Sequence, residues 1–447
     1  MRIWLKQPLA ISVDGAAGGV VIEGSTIVQL VPAGGEPTTA VDQTLDMSQH
    51  VILPGLINTH HHFYQTLTRA VPAALNKELF PWLKSLYPIW AGLDDHMIHV
   101  ATKLACAELL LSGCTTAADH HYLFPEGVPE ALDCQVAGVR DIGIRATLTR
   151  GSMSLGEKDG GLPPQSTVQN ESVILKDCER AIGQYHQAGD GSMLNIAFAP
   201  CSPFSVTEGL MRDSADLARQ LGVRLHTHLA ETHDETAFCE HRFGCRPVDY
   251  LERVGWLADD VWLAHGIHFD DHELCRLGDA GVGISHCPSS NMVLASGICR
   301  TKELEANGAI VGIGVDGSAS NDGSNMIQEA RQALLIQRLR YGSAEVTHHD
   351  AIRWVTEGSA NCLGRHDIGR IAVGKQADLA CFKLDELRFS GAGDPLAALL
   401  LCGAHRADRV MVAGQWRVYD GHIEGLDVQA LFAEHDAAAK KLLAKVA

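Results

Sequence analysis

Four short stretches of this chain put metal-compatible side chains where an apolar strand would otherwise continue or simply turn. The first is Pro54-Gly55-Leu56-Ile57-Asn58-Thr59-His60-His61-His62. On an extended strand residues two apart face the same way, so His60 and His62 can offer two imidazoles to one ion while His61 points elsewhere. Alone, such a pair fits ordinary polar contacts equally well. The second stretch is Leu225-His226-Thr227-His228-Leu229-Ala230-Glu231. Here His228 supplies a third nitrogen ligand, and Glu231 lies just past the strand end, where a carboxylate reaches the attacking water instead of the ion and can transfer protons. His226 shares the face of His228 and competes with it for ligand status; His228 is preferred because a glutamate three residues later needs its partner at the strand end. Glu231 also suits the opening of a helix through Thr232-His233-Asp234-Glu235. The third stretch, Val261 to Gly266, is apolar until His265, which fits either a ligand or a hydrogen bond to the nucleophilic water. The fourth, Gly312 to Gly317, carries Asp316, which suits both an ion and a proton from the water. Four strand ends of this kind together point to metal-assisted hydrolysis. Three imidazoles and a carboxylate suit Zn2+ or Fe2+ alike, so the expectation is one divalent ion.

Such residues converge only if strands deliver them to one place. Apolar runs followed by amphipathic helices recur about eight times, with strands expected near Ile57–His60, Thr115–Asp119, Ile144–Thr149, Leu194–Ala199, Arg224–Leu229, Val261–His265, Gly283–His286 and Val311–Asp316. Helices are expected over Asp95–Leu111, Val128–Ile142, Glu171–Gln187, Thr207–Leu221 and Asp270–Ala280. Eight βα units over about 300 residues imply a closed (β/α)8 barrel, whose chemistry sits at the carboxyl ends of its strands. The first 50 residues, and the segments Ile371 to Ala380 and Arg409 to Tyr419, read instead as short strands with glycine turns. They suggest a small composite β-sandwich made from both chain ends. The expected division is 1–53 for its first part, 54–368 for the barrel, and 369–447 for its second part and a C-terminal helix. No GxGxxG follows a strand and no GxxxxGK[ST] is present, which argues against a nucleotide cofactor.

With 54 acidic against 36 basic residues the net charge is -18, and no Lys/Arg cluster offsets it, so a nucleic acid polymer or an anionic membrane is excluded as a partner. The expected partner is a small heterocyclic molecule. Neither a secretory start nor a membrane-length apolar run is found, so a cytoplasmic location is expected. Thirteen cysteines without CxxC spacing read as reduced core thiols. The run Leu396 to Leu401 fits a homo-oligomer interface or core equally.

These motifs together, PGLxNTHxH, His228-Leu229-Ala230-Glu231-Thr232, His286-Cys287-Pro288-Ser289-Ser290-Asn291 and the terminal Gly314-Val315-Asp316-Gly317, resemble the amidohydrolase superfamily in its branch of mononuclear aminohydrolases. The resemblance covers nearly the whole chain. It implies one zinc ion held by His60, His62, His228 and Asp316, with Glu231 as proton shuttle and His265 orienting the water. The branch with two metals carries a modified lysine on the fourth strand; Leu194 to Cys201 has none. Segments His60 to Ala70 and Asp119 to Pro125 are most similar to family members acting on oxidised purines and s-triazines. That implies deamination of a purine-type ring, with 8-oxoguanine going to urate as the leading case. The alternatives are an s-triazine amino- or chlorohydrolase, a deaminase of S-adenosylhomocysteine or methylthioadenosine, and a non-catalytic metal-binding scaffold. Adenosine-type deaminases usually place a histidine where this chain has Cys201, which weighs against them. Gln65 is a candidate for paired hydrogen bonds to a base edge, Trp90 for stacking and His121 for a ring oxo group, each with an ordinary packing role as the competing reading.

Overall fold

The segments Leu56–Asn58, Cys114–His121, Arg145–Ser152, Leu194–Pro200, Leu225–Leu229, Val261–His265, Gly283–His286 and Ile310–Ile313 pair in chain order as an all-parallel sheet in the computed structural model, which describes residues 1–445. These are the first to eighth strands of a (β/α)8 barrel. All their residues are buried except the half-buried Asn195 and Ile310, because helices cover one side and the barrel interior the other. The expected helices form over Asp95–Leu111, Ala131–Ile142, Glu171–Tyr185, Glu208–Leu221 and Asp271–Asp279. Asp94, Asn170, Thr207 and Asp270 cap four of them by accepting a backbone N–H. The helix expected from Val128 starts at Ala131 instead, since Val128 precedes Pro129 and is steered away from helical geometry.

Strand ladders do not join the eighth strand to the first. The barrel closes just beyond them: Thr59 N donates to Ile313 O (3.0 Å), Asp316 N to His60 O (3.0 Å) and Val315 N to Asn58 Oδ1 (2.9 Å). The segments bearing the candidate ligands therefore make the seam.

At the opposite end, Trp262, Ile57, Ala118 and Ala197 pack against Ala360, Cys362, Leu363 and Ile368 to form the floor. Two buried ion pairs fasten it. Arg145 grips Asp378 through Nε (2.9 Å) and Nη2 (3.1 Å), and Arg365 grips Asp367 through Nε (2.8 Å) and Nη2 (2.7 Å). Arg145 also donates to Ser192 O (2.6 Å), so few of its donors are left unsatisfied.

The chain ends form two further sheets. One has the strand order Thr26–Val31, Gly19–Glu23, Arg2–Lys6, Gln43–Asp46. The other runs His422–Ile423, Gln415–Tyr419, Arg409–Val412, Leu379–Lys383, His50–Pro54, Ala10–Ile11 and so mixes both ends of the chain. Leu5, Val20, Ile22, Ile52, Leu379 and Met411 share one apolar core between them. The C-terminal helix, Val428–Ala444, packs on Asp95–Leu111, and His435 Nε2 meets Thr66 Oγ1 at 3.0 Å. Residues 446 and 447 of the 369–447 segment lie outside the described residues. Within Pro395–Leu401, Ala398, Leu399 and Leu400 are buried and only Leu401 is largely exposed, so this run is mostly core. All thirteen cysteines are free and most are buried. Among the described residues no helix is long and apolar enough to cross a membrane.

Candidate active site

Three imidazoles are held so that one nitrogen of each looks outward and the other inward. His60 Nδ1 meets His226 Nε2 at 2.8 Å, and His226 Nδ1 donates in turn to Trp262 O at 2.8 Å. His62 Nδ1 donates to His120 O (2.7 Å), and His228 Nδ1 donates to Cys201 O (2.6 Å). These contacts fix each tautomer and turn three Nε2 lone pairs toward one point. There the Nε2 atoms of His62 and His228 lie 3.2 Å apart, and Asp316 Oδ1 lies 3.3 Å from His60 Nε2 and 3.2 Å from His62 Nε2. Buried His60 Nε2 has no hydrogen-bond partner. Burial pushes the His60 and His228 imidazoles well below their usual pKa, and a neutral ring is the form that ligates. Burial alone would raise Asp316, but the His60 and His62 imidazoles beside it outweigh burial and hold the carboxyl well below its ordinary range.

Next to this cluster, His265 turns its Nδ1 to Asn291 Oδ1 (3.0 Å) and its Nε2 to Glu231 Oε2 (3.4 Å) and Asp316 Oδ2 (3.9 Å). Burial pulls its pKa down, yet the two carboxylates prevail and the net shift is upward. Glu231 is raised by burial, with His265 acting against the rise. Asp316 Oδ2 also accepts from Ser290 Oγ (2.6 Å). Ala230, His265 and Asp316, at the ends of the fifth, sixth and eighth strands, all have left-handed backbones, with φ of 53°, 71° and 63°. For residues with a Cβ each such conformation costs on the order of 1–3 kcal/mol, which the surrounding contacts must offset. These turns bend the side chains over the barrel mouth.

A cleft opens above. Leu79, Trp82, Leu83, Phe204 and Leu294 form its apolar walls, and Gln65, Tyr87, Tyr122 and Cys201 its polar ones. No lysine or arginine is among its lining residues, although two buried carboxylates face it. Inward Nε2 atoms, an uncompensated pair of carboxylates and the lack of any ammonium or guanidinium together fit a divalent cation, which supplies the missing positive charge.

The structure brings together His60, His62, His228, Glu231, His265 and Asp316, and differs from the sequence reading in several details. The first strand ends at Asn58, so His60 and His62 converge from the link into the turn Phe63–Thr68, not from a strand face. His226 spends both ring nitrogens on His60 and Trp262 and stacks on Trp262 at 4.3 Å, so it supports His60 and has no ring nitrogen left for an ion. Glu231 precedes the helix His233–Phe243, whose cap is Thr232. Gln65 is buried and lines the cleft, with its Oε1 3.3 Å from Ala319 N.

The other two suggested contacts do not line the cleft. Trp90 packs behind Tyr64 and donates to Thr68 Oγ1 (3.1 Å); on the same helix, Leu79–Trp90, it is Trp82 and Tyr87 that face the cleft. His121 points out of the barrel, against Tyr64 and Phe124. The second strand runs two residues further than expected, and parity with inward Ala118 turns His120 inward and His121 outward. His120, which sequence reasoning missed, stacks on His228 at 4.6 Å and belongs to the same donor group as His60, His62 and His228. Its signal was that alternation.

Residues 51–417 match the model of the amidohydrolase family, and the chain belongs to that family. It is 64% identical to the 8-oxoguanine deaminase of Pseudomonas aeruginosa over 446 residues, 99% of each chain. It is 36% identical to the hydroxydechloroatrazine ethylaminohydrolase of a Pseudomonas species over 402 residues, 87% of this chain and 82% of the relative. In structure it is similar to the atrazine chlorohydrolase of Arthrobacter aurescens TC1 complexed with zinc, with a TM-score of 0.91 at 32% identity over 98% of this chain and 100% of the other.

Proposed function

We propose that this protein is a zinc-dependent deaminase that hydrolyses 8-oxoguanine to urate and ammonia. The observation that carries the reading is full-length 64% identity to an 8-oxoguanine deaminase, in a chain that also holds the complete set of inward imidazoles and carboxylates. His60, His62, His228 and Asp316 would hold the ion, whose Lewis acidity makes a water nucleophilic near neutral pH. Asp316, with Oδ2 turned toward His265, takes a proton from that water. The oxygen adds to the ring carbon bearing the exocyclic amine. Glu231, raised by its burial, gives a proton to the adjacent ring nitrogen, takes up the one left on the added oxygen and carries it to the departing amine, while the proton held by Asp316 restores Glu231. One water enters, one ammonia leaves, and the C–N bond becomes C=O.

His265, turned by Asn291, presents Nε2 between the two carboxylates and steers the attacking oxygen. The walls formed by Trp82, Leu83 and Phe204 enclose a flat ring and exclude bulk water, and Gln65 offers an amide to a base edge. His120 adds a further buried imidazole behind His228.

The test is ammonia release by the zinc-loaded protein offered 8-oxoguanine, guanine, isocytosine, S-adenosylhomocysteine and a hydroxylated triazine. Release is expected to be fastest from 8-oxoguanine and to fall by about 10²- to 10⁴-fold in Glu231→Gln. Preferred turnover of a triazine or of S-adenosylhomocysteine would replace the substrate while keeping the machinery; no turnover at full metal content would overturn the deaminase reading.

A further inference from the structure

Glu231 stands on a turn that the chain does not adopt cheaply. Ala230, immediately before it, has a left-handed backbone at φ 53° although it carries a Cβ. The carbonyl side of this turn is held by Ile267 N and His268 N, which donate to Ala230 O at 3.0 and 2.9 Å. The amide side is held by one side chain. Glu235 Oε1 accepts from Ala230 N at 2.9 Å, and its Oε2 accepts from Glu231 N at 3.0 Å. Glu235 is fully buried, lies in the first turn of the helix His233–Phe243 and pairs with no arginine or lysine among the described residues. It does not line the cleft.

Burying a carboxylate without a cation is costly, and an apolar or amide side chain would fill the same space at lower cost if filling were its purpose. Only a carboxylate has two acceptor oxygens for two adjacent N–H groups. Glutamine has one oxygen, and its NH2 would face a donor. Aspartate is one methylene too short to reach both from position 235.

We propose that Glu235 is a positioning residue for Glu231, clamping the two amides of the left-handed turn so that the shuttle carboxylate stays over the barrel mouth beside His265. Glu235 touches neither the substrate space nor the metal-ligand cluster. Its effect passes through Glu231 alone, so the inference rests on Glu231 being the proton shuttle.

A double-mutant cycle tests it: wild type, Glu235→Gln, Glu231→Gln and the double variant, each with metal content, melting temperature, kcat and KM measured on 8-oxoguanine. Glu235→Gln is expected to lower kcat roughly 10- to 100-fold, with KM within about threefold and full metal content. In the Glu231→Gln background the same change is expected to cost nothing further, because the group it positions is gone. Glu235→Asp is expected to behave like Glu235→Gln and serves in its place should the latter not fold. Unchanged kcat, or a loss of equal size in both backgrounds, overturns the proposal. Loss of folding or metal in both Glu235 variants assigns the residue to the fold and overturns it as well. A wild-type protein silent on 8-oxoguanine is a failure of the substrate reading, visible before any variant is made; the cycle is then run on whichever ring of the panel is hydrolysed.

Discussion

The two ends of the barrel treat buried carboxylates in opposite ways. At the floor, Asp367 and Asp378 are each gripped by two nitrogens of an arginine, and on the barrel's flank buried Glu273 is held by Arg246. At the mouth, Asp119, Glu231, Glu235, Asp316 and Glu329 are buried with no lysine or arginine partner among the described residues. Their oxygens are met by backbone amides, hydroxyls and carboxamides: Asp119 by Phe63 N and Gln135, Glu329 by Ser289 and Asn321. The charge states diverge accordingly. The Arg365 guanidinium outweighs burial and brings Asp367 down to about 2, whereas burial pushes Asp119, Glu235 and Glu329 up to about 7. The floor is neutralised internally and serves stability. At the mouth only Glu231 and Asp316 of these carboxylates face the cleft, where a metal ion can neutralise them.

Substitutions at each end should therefore fail in different ways. The largest effect is expected from Asp316→Asn at the mouth: metal content well below one per chain and ammonia release at background, with the circular dichroism spectrum unchanged. Retention of both metal and activity would show that the mouth does not rely on this carboxylate. Glu231→Gln is expected to lower kcat by about 10²- to 10⁴-fold at full metal content. At the floor, Asp378→Ala strands the Arg145 guanidinium and is expected to cost about 3–5 kcal/mol in urea unfolding. The kcat of the molecules that remain folded should stay within about twofold of wild type; a large loss there would erase the distinction between the ends.

On the cleft-facing helix, Trp82→Leu is expected to raise KM several-fold. Trp90→Phe should leave the kinetics alone and cost about 2–3 kcal/mol of stability, from the lost hydrogen bond to Thr68 and the cavity left by the smaller ring. The smallest effect concerns pH. Burial, aided by Arg69, brings His435 down to about 4 from 6.5, so the unfolded chain binds the extra proton first. Its contribution to stability is present above pH 6.5 and is lost as pH falls toward 4. Amide protection in Val428–Ala444, corrected for the intrinsic pH dependence of exchange, should fall over that window while the floor, with Asp367 still ionised, stays protected; His435→Gln should flatten the response.

What was legible in the sequence were features carried by short, strong patterns. Apolar runs ending in His265 and His286 terminate where expected, and the helix Asp95–Leu111 begins and ends at its expected residues. His60 and His62 were recognised through a strand geometry they do not have, because a two-residue spacing looks alike on a strand and on an extended link. His121 was named and His120 missed because the strand was expected to stop at Asp119; it continues to His121, and alternation from inward Ala118 turns His120 inward and His121 outward. Trp90 was named without regard to Trp82 eight residues earlier on the same helix, and packing against Tyr64 covers Trp90 while Trp82 faces the cleft. Asp378, Glu329 and Glu235 left no signal, as their partners are set by tertiary packing and not by local pattern.

The seam between the first and eighth strands bears on how the enzyme is made. Asn58 and Val315, hydrogen-bonded across it, are 257 residues apart in the chain. Bringing them together is among the longest loop closures in the molecule, and contacts of that separation form late. His60 and His62 leave the ribosome early, but they have no Asp316 to meet until seven more strands have been made. A nascent or half-folded chain thus offers scattered histidines to passing metals and a complete site to none. Tight capture of an ion by these side chains would have to wait until the barrel has closed.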